Sequence, residues 1–145
     1  MINFFYEDTE FRLSQLKIID SWIKDVVCGF DREIGELTYI LTSDKYLLSI
    51  NQKFLNHDFY TDVITFNYCD GSVLSGDIFI SYDRVKDNSI KYKQTFCSEL
   101  LRVIIHGVLH LLGFDDKTDS EKEQMRVLEE NCLSNLIIKN INCEK

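Results

Sequence analysis

The period of the apolar positions changes several times along the chain, and each change marks an element. Residues 2–6 form a short apolar run that predicts a strand. Thr9 is placed to cap a helix in which Phe11, Leu16, Ile19, Ile23, Val26, Val27 and Phe30 follow at helical spacing, with Gly29 and Gly35 bracketing its end. Leu37, Tyr39 and Leu41 alternate with Glu36, Thr38 and Ile40, the mark of a strand. Thr42 or Ser43 can cap the next helix, which turns Leu47, Ile50 and Phe54 inward. Positions 61–68 and 73–81 are rich in β-branched and aromatic residues and predict two more strands, with Gly76 marking a bulge in the second. The Asp70-Gly71 pair between them signals a tight turn with positive φ at its centre, and so an antiparallel hairpin. A short helix or turn over 82–92 follows.

Residues 95–112 predict the strongest helix. Leu100, Leu101, Val103, Ile104, Ile105, Val108, Leu109, Leu111 and Leu112 surround its axis, so it is read as a buried central helix. Thr118 and Glu121 make a capping box that opens a last helix, with Met125, Leu128, Cys132, Leu133 and Leu136 at helical spacing. The tail beyond about residue 139 is expected to fray. The order β-α-β-α-β-β, then helices, with no linker or repeat, predicts one α+β domain over 1–145: a small mixed β-sheet packed against helices. The two βα units place some strands parallel, and the hairpin adds an antiparallel pair.

Composition narrows the class. A chain of 145 residues, 45% hydrophobic and 28% charged, buries a core without disulfide staples. No apolar run approaches the roughly 20 residues of a membrane span, and the N-terminus lacks the basic region of a signal peptide, so a cytoplasmic address is the default expectation. The five cysteines are odd in number, far apart and without a C-x-x-C pair, which predicts reduced, mostly buried thiols. A net charge of −8 argues against indiscriminate polyanion binding. Arg84, Lys86, Lys91 and Lys93 are the densest basic segment and read as a solvated helix face with the turn after it.

The chemistry concentrates in the run from His106 to Asp116. His106 and His110 lie four residues apart and share one helix face, and only three histidines exist in the chain. Two unpartnered imidazoles in so apolar a helix are costly to bury, which favours a metal between them. Zinc fits best, since it takes imidazole and carboxylate together. Gly113 allows a sharp reversal after the helix, and Asp115 and Asp116 then both come within reach as third ligand. Only one is expected to bind, and Asp116, ten residues after His106, has the spacing of helix-turn zinc sites. The pattern matches the metzincin peptidase signature with two departures: Asp116 stands for the last histidine, and Gly107 stands where the catalytic glutamate should be. Without that carboxylate, peptidase chemistry lacks its general base.

The string His106-Gly107-Val108-Leu109-His110-Leu111-Leu112-Gly113-Phe114-Asp115-Asp116 closely resembles the signature of the YbeY family of bacterial endoribonucleases, including the glycine after the first histidine. Thr61-Asp62-Val63-Ile64-Thr65-Phe66 and Gly76-Asp77-Ile78-Phe79-Ile80 resemble two further family segments, in the same order. The resemblance implies one zinc held by His106, His110 and Asp116. It also implies single-strand-specific endoribonuclease activity, in 3′-end maturation of small-subunit ribosomal RNA and in ribosome quality control. Partners implied are the ribosomal RNA precursor and the small ribosomal subunit with its proteins. Two departures from the family stand out: aspartate at 116 for histidine, and Leu55 where the family commonly carries an arginine, with His57 nearby.

The reaction expected is metal-assisted phosphodiester cleavage. Asp62, Asp77 and Asp115 are candidates for the general base, each with structural capping as the plainer role, and Thr65 can line the substrate groove. A metallohydrolase of another class, such as a peptidase, and a non-catalytic ribosome-assembly factor with a structural zinc are the rival readings.

Overall fold

The computed structural model describes residues 1–136 and 143. Its elements run β1 (Ile2–Glu7), α1 (Leu16–Gly29), β2 (Glu33–Thr42), α2 (Asp44–Leu55), β3 (Val63–Asn67), β4 (Val73–Ser81), α3 (Tyr82–Lys91), α4 (Phe96–Leu111) and α5 (Asp119–Ser134). The four strands make one sheet in the order β1-β2-β4-β3. β1 and β4 flank β2 in parallel, and β3 pairs antiparallel with β4. The α+β class, the mixed sheet and the hairpin are as the pattern predicts.

Pleat parity decides what the sheet shows to α4. Leu37, Tyr39 and Leu41 of β2 are paired with Gly76, Ile78 and Ile80 of β4, and all of these are buried on one face. The Tyr39 hydroxyl donates to the Ile104 carbonyl at 2.9 Å, which fixes α4 over that face. Burial raises the Tyr39 pKa well above its ordinary value, so it stays a neutral donor. The carbonyl of Phe66 and the Leu111 side chain crowd Gly76: an added Cβ would meet them at 2.6 and 2.9 Å. Gly76 is thus the point of close approach between β3, β4 and α4.

Several local readings need correction. The bulge is not at Gly76. The register slips between Ile34 and Leu37 while β4 advances from Leu74 to Gly76, so the extra residue lies in β2. α1 starts at Leu16, not after Thr9. Phe11 and Leu13 are buried from a non-helical segment, where the Leu13 amide donates to the Tyr6 hydroxyl and Phe11 stacks on Tyr82. Phe54 is exposed, and Asn51 is the α2 residue buried beside Leu47. In the hairpin, Asp70 and Val73 exchange both backbone hydrogen bonds, so the central residues are Gly71 and Ser72. Of these only Gly71 has positive φ, at 59°.

The cysteine expectation also changes. Cys97, in the first turn of α4, forms a disulfide with Cys143, whose carbonyl also accepts from the Ser14 amide. Cys132 is a buried thiol, Cys69 is half-buried and Cys28 is exposed. Apart from Cys143, the tail expected to fray lies outside the described residues.

Candidate metal centre

α4 is not apolar all round. Arg102, His106 and His110 recur every four residues as a half-buried polar stripe. The helix is capped by Thr95, whose hydroxyl accepts from the Ser98 amide. At its other end the Gly113 amide donates to the His110 carbonyl and the Phe114 amide to the Leu109 carbonyl. Gly113 has φ 104°, which turns the chain back, and Phe114 anchors the turn by packing edge-on against Phe30.

The reversal brings Asp116 onto the stripe. His106 Nε2 lies 2.9 Å from His110 Nε2, and each is 3.4 Å from Asp116 Oδ2. One ligand atom from each residue falls within 4.8 Å of the other two, which makes this a group that could hold a metal ion. Asp115, its neighbour, is exposed and outside the group.

A fourth residue shows that the donor set fits a cation. Glu129, on the buried face of α5, lies with Oε2 2.6 Å from His106 Nδ1. A carboxylate there accepts the Nδ1 proton, so Nε2 is left with its lone pair facing His110 and Asp116. Arg102 holds the other Glu129 oxygen at 2.9 Å and also binds Glu130. Burial pulls the His106 pKa down, but the hydrogen bond and charge of Glu129, with Asp116 and Asp62, outweigh it and leave it raised. Negative charge of this density around an imidazole pair is the environment a divalent cation balances.

The other predicted residues separate by strand parity. Thr65 pairs with Ile78, and Ile78 packs on Gly107, so Thr65 stands on the α4 side of β3. Asp77 pairs with Phe66 and Thr38 and points to the opposite face, away from the histidines. Asp62 immediately precedes β3, with its carbonyl accepting from the Ser81 amide. Burial raises its carboxyl pKa, His106 lowers it, and Glu129 adds to the rise. Asp62 therefore lies in the electrostatic reach of the cluster. His57 is exposed and stacks on Phe59 instead of joining the metal group.

Glu129, Arg102 and Glu99 were missed from the sequence. Glu99 is 5% exposed, and burial raises its pKa against the pull of Arg102, with Asp62 and Glu129 adding to the rise. It shares with Arg102 and Glu129 a cleft of about 480 Å³. The signal was present: an acidic residue on the apolar stripe of α5, between Met125 and Cys132, has no reason to be buried without a partner.

Gly107 has its own explanation. A Cβ there would meet Ile78 side-chain carbons at 2.9 Å. The helix packs so close to β4 that no glutamate fits, which removes the peptidase base for steric reasons as well as by sequence.

No helix among the described residues is long and apolar enough to cross a membrane. Comparison with known proteins gives the lineage. The chain is 42% identical over 134 residues to an endoribonuclease YbeY of Phocaeicola vulgatus, covering 92% of this chain and 97% of the relative. It is 48% identical to the endoribonuclease YbeY of Cytophaga hutchinsonii, covering 92% and 94%. A solution structure of a Thermotoga maritima protein aligns with TM-score 0.63 at 27% identity, over 92% of this chain and 90% of that one. The family model described as Endoribonuclease YbeY matches residues 3–137, and with these relatives it establishes that the chain belongs to the YbeY family.

Proposed function

We propose that the chain is a metal-dependent endoribonuclease of ribosomal RNA processing, with one zinc held by His106, His110 and Asp116. The observation that carries it is the convergence of three ligand atoms on one point while Glu129 fixes the tautomer of His106 from behind. When bound, a divalent metal supplies Lewis-acid polarisation and charge neutralisation to a phosphodiester.

The chain's own residues do the rest. Glu129 and Arg102 hold His106 in one orientation. Asp62, whose carboxyl pKa burial raises and whose charge state His106 influences, is the candidate outside the Glu129–His106 pair to hold or move a proton. Thr65 offers a hydroxyl on the α4 side of β3. Asp115, exposed at the turn, fits a role in shaping the Asp116 reversal better than one in proton transfer. The substrate is single-stranded RNA, in the 3′-end maturation of small-subunit ribosomal RNA and in ribosome quality control, in the cytoplasm. The small ribosomal subunit and its proteins are the partners.

The test compares purified, metal-loaded wild type with His110→Ala on precursor ribosomal RNA. Wild type cleaves and the variant does not; identical products from both would place the activity outside this centre.

A further inference from the structure

We propose that the loop joining α2 to β3 is a base-stacking platform for single-stranded RNA leading into the metal centre; this rests on the nuclease reading above. Phe59 and Tyr60 are 56% and 53% exposed, and Phe54 at the end of α2 is 57% exposed. Exposed rings such as Phe5, Tyr68 and Tyr92 also occur elsewhere on this chain; what sets this loop apart is that its rings are adjacent and form one apolar patch.

The rings are held, not loose. His57 and Phe59 stack with centroids 5.1 Å apart and planes only 21° from parallel. Asn51, 1% exposed inside α2, fastens the loop at both ends of that stack. Its side-chain amide donates to the Phe59 carbonyl at 2.8 Å, and its backbone carbonyl accepts the His57 amide at 3.1 Å. Gln52 binds Asp58 between them. A buried polar residue spent on presenting two exposed rings preorganises them for a flat partner. Arg84 lies over the Tyr60 ring at 5.2 Å and Lys53 over Phe54 at 5.2 Å, so cations border the rings in a chain otherwise acidic.

RNA is the occupant favoured by position and by charge. β3 begins at Val63, four residues past Phe59 and at most about 14 Å of backbone away, and its Thr65 stands on the side of the sheet that packs against α4 at Gly107. A strand stacked on Phe59 therefore reaches the metal centre within a few nucleotides. A chain of net charge −8 gains little from phosphate neutralisation, so affinity for a single strand has to come from base faces. Stacking of this kind favours unpaired bases over a duplex, whose base faces are already covered.

The experiment measures anisotropy of a short fluorescein-labelled single-stranded RNA against the full chain carrying His110→Ala, so that nothing is cut. Into that background go the double change His57→Ser with Phe59→Ser, the single change Phe59→Leu, and Phe59→Trp. Both ring-removing variants should weaken single-strand binding by about fivefold or more, while Phe59→Trp binds like the parent. Binding to a duplex of the same sequence should not change. Unchanged single-strand affinity in folded His57→Ser/Phe59→Ser and Phe59→Leu proteins overturns the platform and leaves the nuclease intact. A parent chain that neither binds single-stranded RNA nor, with His110 restored, cleaves it overturns the nuclease reading first.

Discussion

Replacing Glu129 by glutamine isolates the contribution of the residue behind the metal centre. The change keeps shape and volume but removes the charge. In the native arrangement one carboxylate serves two donors, His106 Nδ1 at 2.6 Å and Arg102 at 2.9 Å. An amide has one oxygen for the two, and its NH₂ then opposes the other donor. His106 loses either its fixed tautomer or its orientation toward Asp116. Changes of this kind behind a ligand cost 10–100-fold in metal affinity, about 1.4–2.8 kcal/mol. The fold should suffer less than the roughly 3–5 kcal/mol of a stranded buried charge, because Arg102 keeps Glu130 and remains 23% exposed. About 1–2 kcal/mol of lost stability is expected, read as a modest drop in Tm. The assay is competition for zinc against a chromophoric chelator at neutral pH, with circular dichroism to confirm folding. A folded Glu129→Gln protein with wild-type affinity, beside an Asp116→Ala protein that has lost the metal, would refute the role given to Glu129.

Asp116→Ala should abolish stoichiometric zinc by elemental analysis, whereas Asp115→Ala should retain it, since only Asp116 joins the histidines. Gly107→Ala gains about 1 kcal/mol of helix propensity but drives a Cβ to 2.9 Å from Ile78, at an overpacking cost of about 1–3 kcal/mol. A lower Tm by calorimetry checks it, and an unchanged one would mean that α4 slides freely on the sheet. For Glu99 the folded pKa is raised above the ordinary 4.5, so the native state holds its proton more tightly than the unfolded chain. The stability this gives is complete below pH 4.5 and is lost as pH rises through the higher folded value. Urea denaturation across pH should therefore show Glu99→Gln gaining on wild type from about pH 4.5 upward; parallel curves would sink this assignment.

Much of the fold was legible because local signals agreed with it. The capping box at Thr118 and Glu121, the apolar run of α4 and the turn before Val73 each depend on neighbours in sequence. The failures share a different cause. Phe11 fits a helical period, yet it is buried from a non-helical segment and stacks on Tyr82, which lies beyond β4. Cys97 and Cys143 are 46 residues apart, and nothing between them in sequence announces that the two thiols meet. Glu129 reaches His106 across 23 residues and a change of helix. Asp62 and Asp77 look alike in sequence; the β3–β4 register, with Phe66 opposite Asp77 and Thr65 opposite Ile78, turns Asp77 away from α4, whereas Asp62 sits on the bend before β3 and its charge state is coupled to His106.

Gly107 joins these two kinds of reading. In sequence it is a missing base, and that alone says what the centre is not. In the structure it is the residue that lets α4 lie on Ile78, so the helix carrying both histidines is closed to any further side chain at that turn. A proton acceptor for the centre then has to arrive from a different element. β3 is the sheet edge beside α4, and Asp62 at its start is the carboxyl there whose charge state His106 and Glu129 both influence. The close packing that excludes the peptidase glutamate thus leaves acid–base work, in the reading proposed above, to a carboxyl outside α4, on the side where the aromatic loop 56–61 leads into β3.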